Sequence, residues 1–105
     1  MAVDVEAIRH IVREFADEVR KVMPVEKVVL FGSYATGTAT TQSDVDVCFF
    51  LEDFQKRQRV DIIAELLNIS GKYKGIFFEP LVFPVSEIQN GNSFVKKILE
   101  YGYEV

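Results

Sequence analysis

One cysteine, one histidine and no surplus of positive charge are the first constraints this sequence sets. A lone Cys48 excludes an internal disulfide framework and every zinc motif that needs several cysteines. It sits in the apolar run VDVCFFL, which marks an inert buried thiol and not a nucleophile. His10 falls beside Arg9 and Arg13 on the polar side of a helical pattern, where a solvated side chain is expected and not a ligand or general base. Twelve basic residues stand against sixteen acidic ones, for a formal net charge of −4. With a pI of about 5.0, direct nucleic-acid binding through phosphate neutralisation is not expected. A nucleotide carried with magnesium remains compatible, because the metal brings the positive charge. The apolar runs are only a few residues long, so no membrane span or signal peptide is expected and the cytoplasm is the expected location.

What is present fits one domain over residues 1–105, with one modest core. Hydrophobic residues at 49% and charged ones at 27% are a globular composition and not a disordered one. Nine Phe and a mean hydropathy of +0.11 suggest that some apolar surface is kept for a partner.

Periodicity divides the chain. Val5, Ile8, Val12, Phe15, Val19 and Val22 recur at helical steps, predicting a helix over Val5–Met23 with Asp4 as N-cap and Pro24 as its stop. A strand, Lys27–Phe31, ends at Gly32; a short helical turn is expected from Ser33 through Gly37, then a polar loop. The second strand, Asp44–Leu51, puts Val45, Val47, Phe49 and Leu51 on one face and Asp44, Asp46, Cys48 and Phe50 on the other. That second face turns from acidic to apolar, as a strand does when one end borders a site and the other is covered. A helix over Gln55–Ile69 is expected to turn Val60, Ile63, Leu66 and Leu67 inward. A third strand, Gly75–Phe83, contains Pro80, which cannot donate a ladder hydrogen bond and so predicts a sheet edge. Ser86 is the expected cap of a last helical region whose apolar side carries Phe94, Val95, Ile98 and Leu99. Gly102 ends it, before a short final strand. The order is that of one small α/β domain.

Asp44 and Asp46 hold the chemistry. Two residues apart on a strand, they point the same way about 6.6 Å apart along its axis. With no Lys or Arg near them on that strand, they repel each other unless a divalent ion is present. Magnesium suits them: it takes oxygen ligands, needs one or two protein carboxylates, and completes its octahedron with water and phosphate oxygens. Gly32-Ser33 offers a phosphate cradle, since a glycine lets phosphate approach the backbone and a helical turn opening at Ser33 presents free N–H groups. Two other phosphate motifs fail. Gly32 and Gly37 have P-loop spacing, but Thr38-Ala39 stands where Lys-Ser or Lys-Thr is required, and the stretch has no GxGxxG. The plain alternative is a glycine turn followed by a solvated Asp-x-Asp.

Gly32-Ser33, a spacer of residues 34 to 43, and Asp44-Val45-Asp46 together resemble the signature of minimal nucleotidyltransferases of the DNA polymerase β superfamily. The resemblance runs through VVLFGSYATG, SDVDVCFFLE and FVKKILEYGYEV, nearly the whole chain. It implies the small nucleotidyltransferase fold: α/β (α+β), a short mixed sheet of three to four strands, helices packed mainly on one face. Asp44 and Asp46 would bind Mg²⁺, two ions during catalysis, and Gly32 and Ser33 would hold the triphosphate of ATP. Glu79 is the best match for a third, metal-binding and catalytic carboxylate; Glu87 is a weaker one. Ser43 matches the usual residue before the first aspartate and would bond phosphate or loop backbone. Thr36 stands where many relatives have arginine, so one phosphate-neutralising cation is missing.

The resemblance further implies transfer of AMP to an acceptor hydroxyl. Relatives of this size pair with a HEPN-domain toxin, some adenylylating a tyrosine of it as its antitoxin in a toxin–antitoxin system. The readings that compete with this are a non-catalytic antitoxin that neutralises its partner by docking, and a small-molecule, antibiotic-type nucleotidyltransferase, which a chain of this length would form only as a homo-oligomer.

Overall fold

The computed structural model describes residues 4–40 and 42–105. Its elements in chain order are α1 (Val5–Arg20), β1 (Val25–Phe31), α2 (Ser33–Thr36), β2 (Val45–Leu51), α3 (Arg59–Ser70), β3 (Phe78–Pro84), α4 (Glu87–Asn90), α5 (Ser93–Tyr101) and β4 (Tyr103–Glu104). The strands form one sheet in the order β3-β2-β1-β4. β1 runs antiparallel to both β2 and β4, while β2 and β3 are parallel. This is the mixed α+β architecture expected. β3 lies at an edge, where the missing N–H of Pro80 costs no interior ladder bond.

Alternation along β2 sets the layers. Val45, Val47, Phe49 and Leu51 face the main core, under α1 and α3. There Phe15 meets Phe49 edge-on at 5.4 Å and Phe78 at 4.7 Å. Cys48 and Phe50 face the other way, into a smaller core with Val29, Val95 and Ile98 under α5. The two longest helices thus share one face, and α5 closes only part of the other. Each fully buried Phe contributes roughly 2 kcal/mol by removal from water, so both faces are held by apolar burial.

α1 begins as expected: the Asp4 carboxylate accepts the Ala7 N–H at 3.1 Å. It ends at Arg20 and not Met23; Val22 is 56% exposed, and Met23 turns inward in its place as the chain bends toward β1. α3 starts at Arg59, four residues after the expected Gln55, because Gln55 and Lys56 hold left-handed φ angles of 56° and 63° that no right-handed helix accepts. Its inward face also differs. Ile62 and Leu66 are buried while Val60 and Leu67 face solvent. Arg59 adds to this orientation, donating to the Val82 carbonyl at 3.0 Å with its guanidinium over the Phe83 ring. β3 begins at Phe78 and not Gly75, whose φ is +83°.

The last helical region is two helices. Ser86 precedes α4 but makes no side-chain cap bond, whereas the Asn92 side chain caps α5 by accepting the Val95 N–H at 3.1 Å. α5 ends on the Gly102 N–H, which donates to the Ile98 carbonyl at 2.8 Å, and β4 then hydrogen-bonds to β1. α5 is therefore held at both ends over the end of the sheet where the aspartates lie.

Candidate active site

β1 ends at Phe31, opposite Asp46 in the antiparallel register. The next residue, Gly32, has φ 73° and ψ −151°, a conformation open to glycine and strained for other residues. A Cβ there would overlap the Asp46 carboxylate. The room left by the missing side chain is thus filled by Asp46. α2 is one short turn; the amides of Ser33 and Tyr34 have no carbonyl partner within it.

Asp46 is half-buried on β2 and stands opposite Glu79 of β3 in the parallel register. Neighbouring strands lie about 4.8 Å apart, so two carboxylates share one end of the sheet on the α5 side. The consequence is electrostatic. The Asp46 carboxyl is pushed up to about 6 from its ordinary 3.8, first by partial burial, then by its hydrogen bond with and the charge of Glu79, then by the charge of Asp44. Asp44 lies just ahead of β2 and is exposed.

A cavity of about 280 Å³ is walled by Asp46, Glu79, Leu81, Phe31 and Phe94. Beyond the Phe31–Phe94 pair, which meets edge-on at 6.3 Å, a second hollow of about 230 Å³ is bordered by Gly32, Thr36, Lys97 and Tyr101. The two share Phe31 and Phe94 as walls and are together called the groove between α5 and the sheet end.

The structure brings Gly32, Asp46 and Glu79 together, with Asp44 and Ser33 adjacent in the chain. Glu87 is not among them: it lies beyond the opposite end of β3, in α4. The Ser43 hydroxyl accepts the Thr40 N–H at 2.9 Å, so it braces the loop leading into β2. Thr36 donates its hydroxyl to the Gly32 carbonyl at 3.3 Å and leaves its place in the groove uncharged. Cys48 is fully buried under α5, its thiol pushed up to about 12 by burial, in keeping with an inert role. His10 is exposed beside Glu14.

Lys97 and Tyr101 carry no sequence motif, and Phe94, on the expected apolar side of its helix, is 48% exposed. The available signal was spacing: 94, 97 and 101 differ by three and four and share one helical face.

The donor set is oxygen alone, clustered enough to raise a carboxyl's proton affinity, and a hard cation relieves that strain. In donor chemistry alone, Asp46, Glu79 and Asp44 suit a hard cation such as magnesium. Among the described residues no three His, Cys, Asp or Glu side chains already form a group arranged to hold a metal ion. A cation here would take part of its shell from water and substrate, as magnesium does.

The mixed sheet with paired carboxylates beside a Gly-Ser turn is the arrangement that the sequence resemblance implies. Residues 12–103 match the family described as Nucleotidyltransferase domain, and the chain belongs to that family. A Methanocaldococcus jannaschii protein, provisionally named a protein adenylyltransferase, is 29% identical over 103 residues, spanning 93% of this chain and 98% of its own. The crystal structure of a provisionally named nucleotidyltransferase from Sulfolobus solfataricus superposes with a TM-score of 0.52 at 21% identity, over 82% of this chain and 71% of that one. That likeness concerns the fold. No helix among the described residues is long and apolar enough to cross a membrane.

Proposed function

We propose that this chain, as a single minimal nucleotidyltransferase domain, transfers AMP from magnesium-bound ATP to an acceptor hydroxyl. The observation that carries this reading is the meeting of Asp46, Glu79 and Gly32 at one end of the sheet. The acceptor oxygen attacks the α-phosphorus while the bond from that phosphorus to the bridging oxygen of the β-phosphate breaks. AMP is transferred and pyrophosphate leaves. The hydroxyl proton passes to Glu79, the carboxylate that faces Asp46 across the sheet end. Asp44, Asp46 and Glu79 would hold magnesium, which when bound would supply charge neutralisation at the phosphates and would lower the pKa of the attacking hydroxyl. The amides at Gly32 and Ser33 orient the triphosphate.

For the acceptor we favour a tyrosine of a partner protein, a HEPN-domain toxin in the family context, with this chain as the antitoxin. The printed name of the Methanocaldococcus relative supports a protein acceptor. So does the site itself, whose groove is bordered by the exposed apolar surface of Phe94 and Tyr101, suited to a macromolecular partner.

The test is transfer of label from ATP labelled at the α-phosphate, with Mg²⁺ and the product of the neighbouring gene. Transfer that disappears in the Asp44→Ala, Asp46→Ala double variant supports the reading. A stable complex without transfer points to a docking antitoxin instead.

A further inference from the structure

The groove that receives the triphosphate in the reading above carries an excess of negative charge. Asp46 and Glu79 lie at one end, with Asp44 near enough to act on Asp46 by its charge, and Thr36, at the other, is neutral with its hydroxyl committed to the Gly32 carbonyl. A magnesium-bound triphosphate keeps a net negative charge, so a further cation is needed where the phosphates emerge from the carboxylates.

Most basic side chains are committed elsewhere. Arg9, Arg20, Lys21, Lys27, Arg57 and Lys72 pair with carboxylates. Arg13 donates to the Tyr103 hydroxyl and Arg59 to the Val82 carbonyl. Lys97 makes no ion pair with the described residues and borders the same hollow as Gly32 and Thr36. It stands on α5, whose Asn92 cap, buried Val95 and Ile98 and terminal Gly102 bond fix the rotation of the helix. Its neighbour Lys96, a hundred degrees round the helix by the ordinary geometry of about 3.6 residues per turn, is absent from those walls.

We propose that Lys97 binds the β- and γ-phosphates of the nucleotide, supplying from α5 the positive charge that position 36 lacks. The assignment rests on the nucleotide-binding reading of this groove. Lys97 is exposed, and the walls beside it, Phe31, Phe94, Ile98 and Tyr101, offer its ammonium no competing carboxylate, so it is free to turn toward a phosphate in the hollow. It acts as a positioning residue, holding the leaving pyrophosphate in line and not exchanging a proton.

The experiment is calorimetric titration of the full chain with Mg²⁺ and one of three probes: ATP, AMP or inorganic tripolyphosphate. Wild type, Lys97→Gln, Lys97→Arg, Lys96→Gln and the double variant Thr36→Arg with Lys97→Gln are compared. Lys97→Gln is expected to weaken ATP and tripolyphosphate about tenfold, the scale of one charge-assisted contact, and to leave AMP unchanged. Lys97→Arg and Lys96→Gln retain wild-type affinity, and Thr36→Arg restores most of what Lys97→Gln loses, because both positions border one hollow. ATP affinity unaltered by Lys97→Gln overturns the assignment while the site reading stands. Equal loss for ATP and AMP also overturns it, showing that Lys97 shapes the groove and does not touch the terminal phosphates. A wild type that takes up neither ATP nor tripolyphosphate overturns the site reading and this assignment with it.

Discussion

The carboxylate of Asp46 occupies the space beside Gly32 that a side-chain carbon would need. The turn after β1 and the acid on β2 are therefore one steric unit. A glycine places the carboxylate at the sheet end, and its left-handed backbone sends the chain into α2.

That unit predicts the effect of Gly32→Ala. The new methyl meets both a left-handed φ of 73° and the Asp46 carboxylate, so the variant loses about 1–3 kcal/mol from backbone strain and displaces Asp46 as well. Gly37→Ala is the control: φ is +83° but nothing lies within 4 Å of the added carbon. Thermal melts should show both variants destabilised, with only Gly32→Ala also losing nucleotide uptake. Equal uptake in the two would separate the turn from the acid.

Asp46 predicts a pH dependence in the cation-free protein. Its carboxyl is raised from 3.8 to about 6, so the folded chain holds that proton more tightly than the unfolded chain does. The resulting stabilisation is present below about pH 4 and is lost as pH rises through about 6. In EDTA, Asp46→Asn should melt above wild type at pH 7.5 and beside it at pH 3.5. Adding Mg²⁺ should raise the melting temperature of the wild type and leave that of Asp46→Asn nearly unmoved. A constant gap between the two proteins across this range would show that the carboxylates do not interact as described.

Cys48 predicts silence. It is fully buried beneath α5 and its thiol stays protonated to about pH 12, so a thiol reagent at pH 8 should label it only on unfolding. Cys48→Ser places a hydroxyl among Val29, Phe50 and Ile98 and should cost about 1–3 kcal/mol for an unpaired polar group. Rapid labelling of the native protein would show that α5 does not stay seated on the sheet.

What could be read in advance follows physical lines. The alternation from Val45 to Leu51 and the stripe Val12, Phe15, Val19 are period signals, and the structure keeps both. Pro80 announced an edge because a missing N–H is a local fact. The start and rotation of α3 could not be read, because Gln55 and Lys56 take left-handed angles without any glycine to mark them and Arg59 helps to orient the helix through contacts to β3. Glu79 is suggested by the resemblance alone, and its place opposite Asp46 could not be read from spacing because it depends on the parallel register of β2 and β3. Lys97 and Tyr101 could not be read for a related reason. Their place beside the hollow depends on which face of the sheet α5 covers, which only packing decides.

The most direct test of the account is calorimetric titration of Mg²⁺ with ATP into the wild type and into the Asp46→Asn, Glu79→Gln double variant. The account predicts saturable uptake by the wild type and affinity at least about tenfold weaker once the facing carboxylates are gone. Uptake of equal strength by both proteins would contradict it.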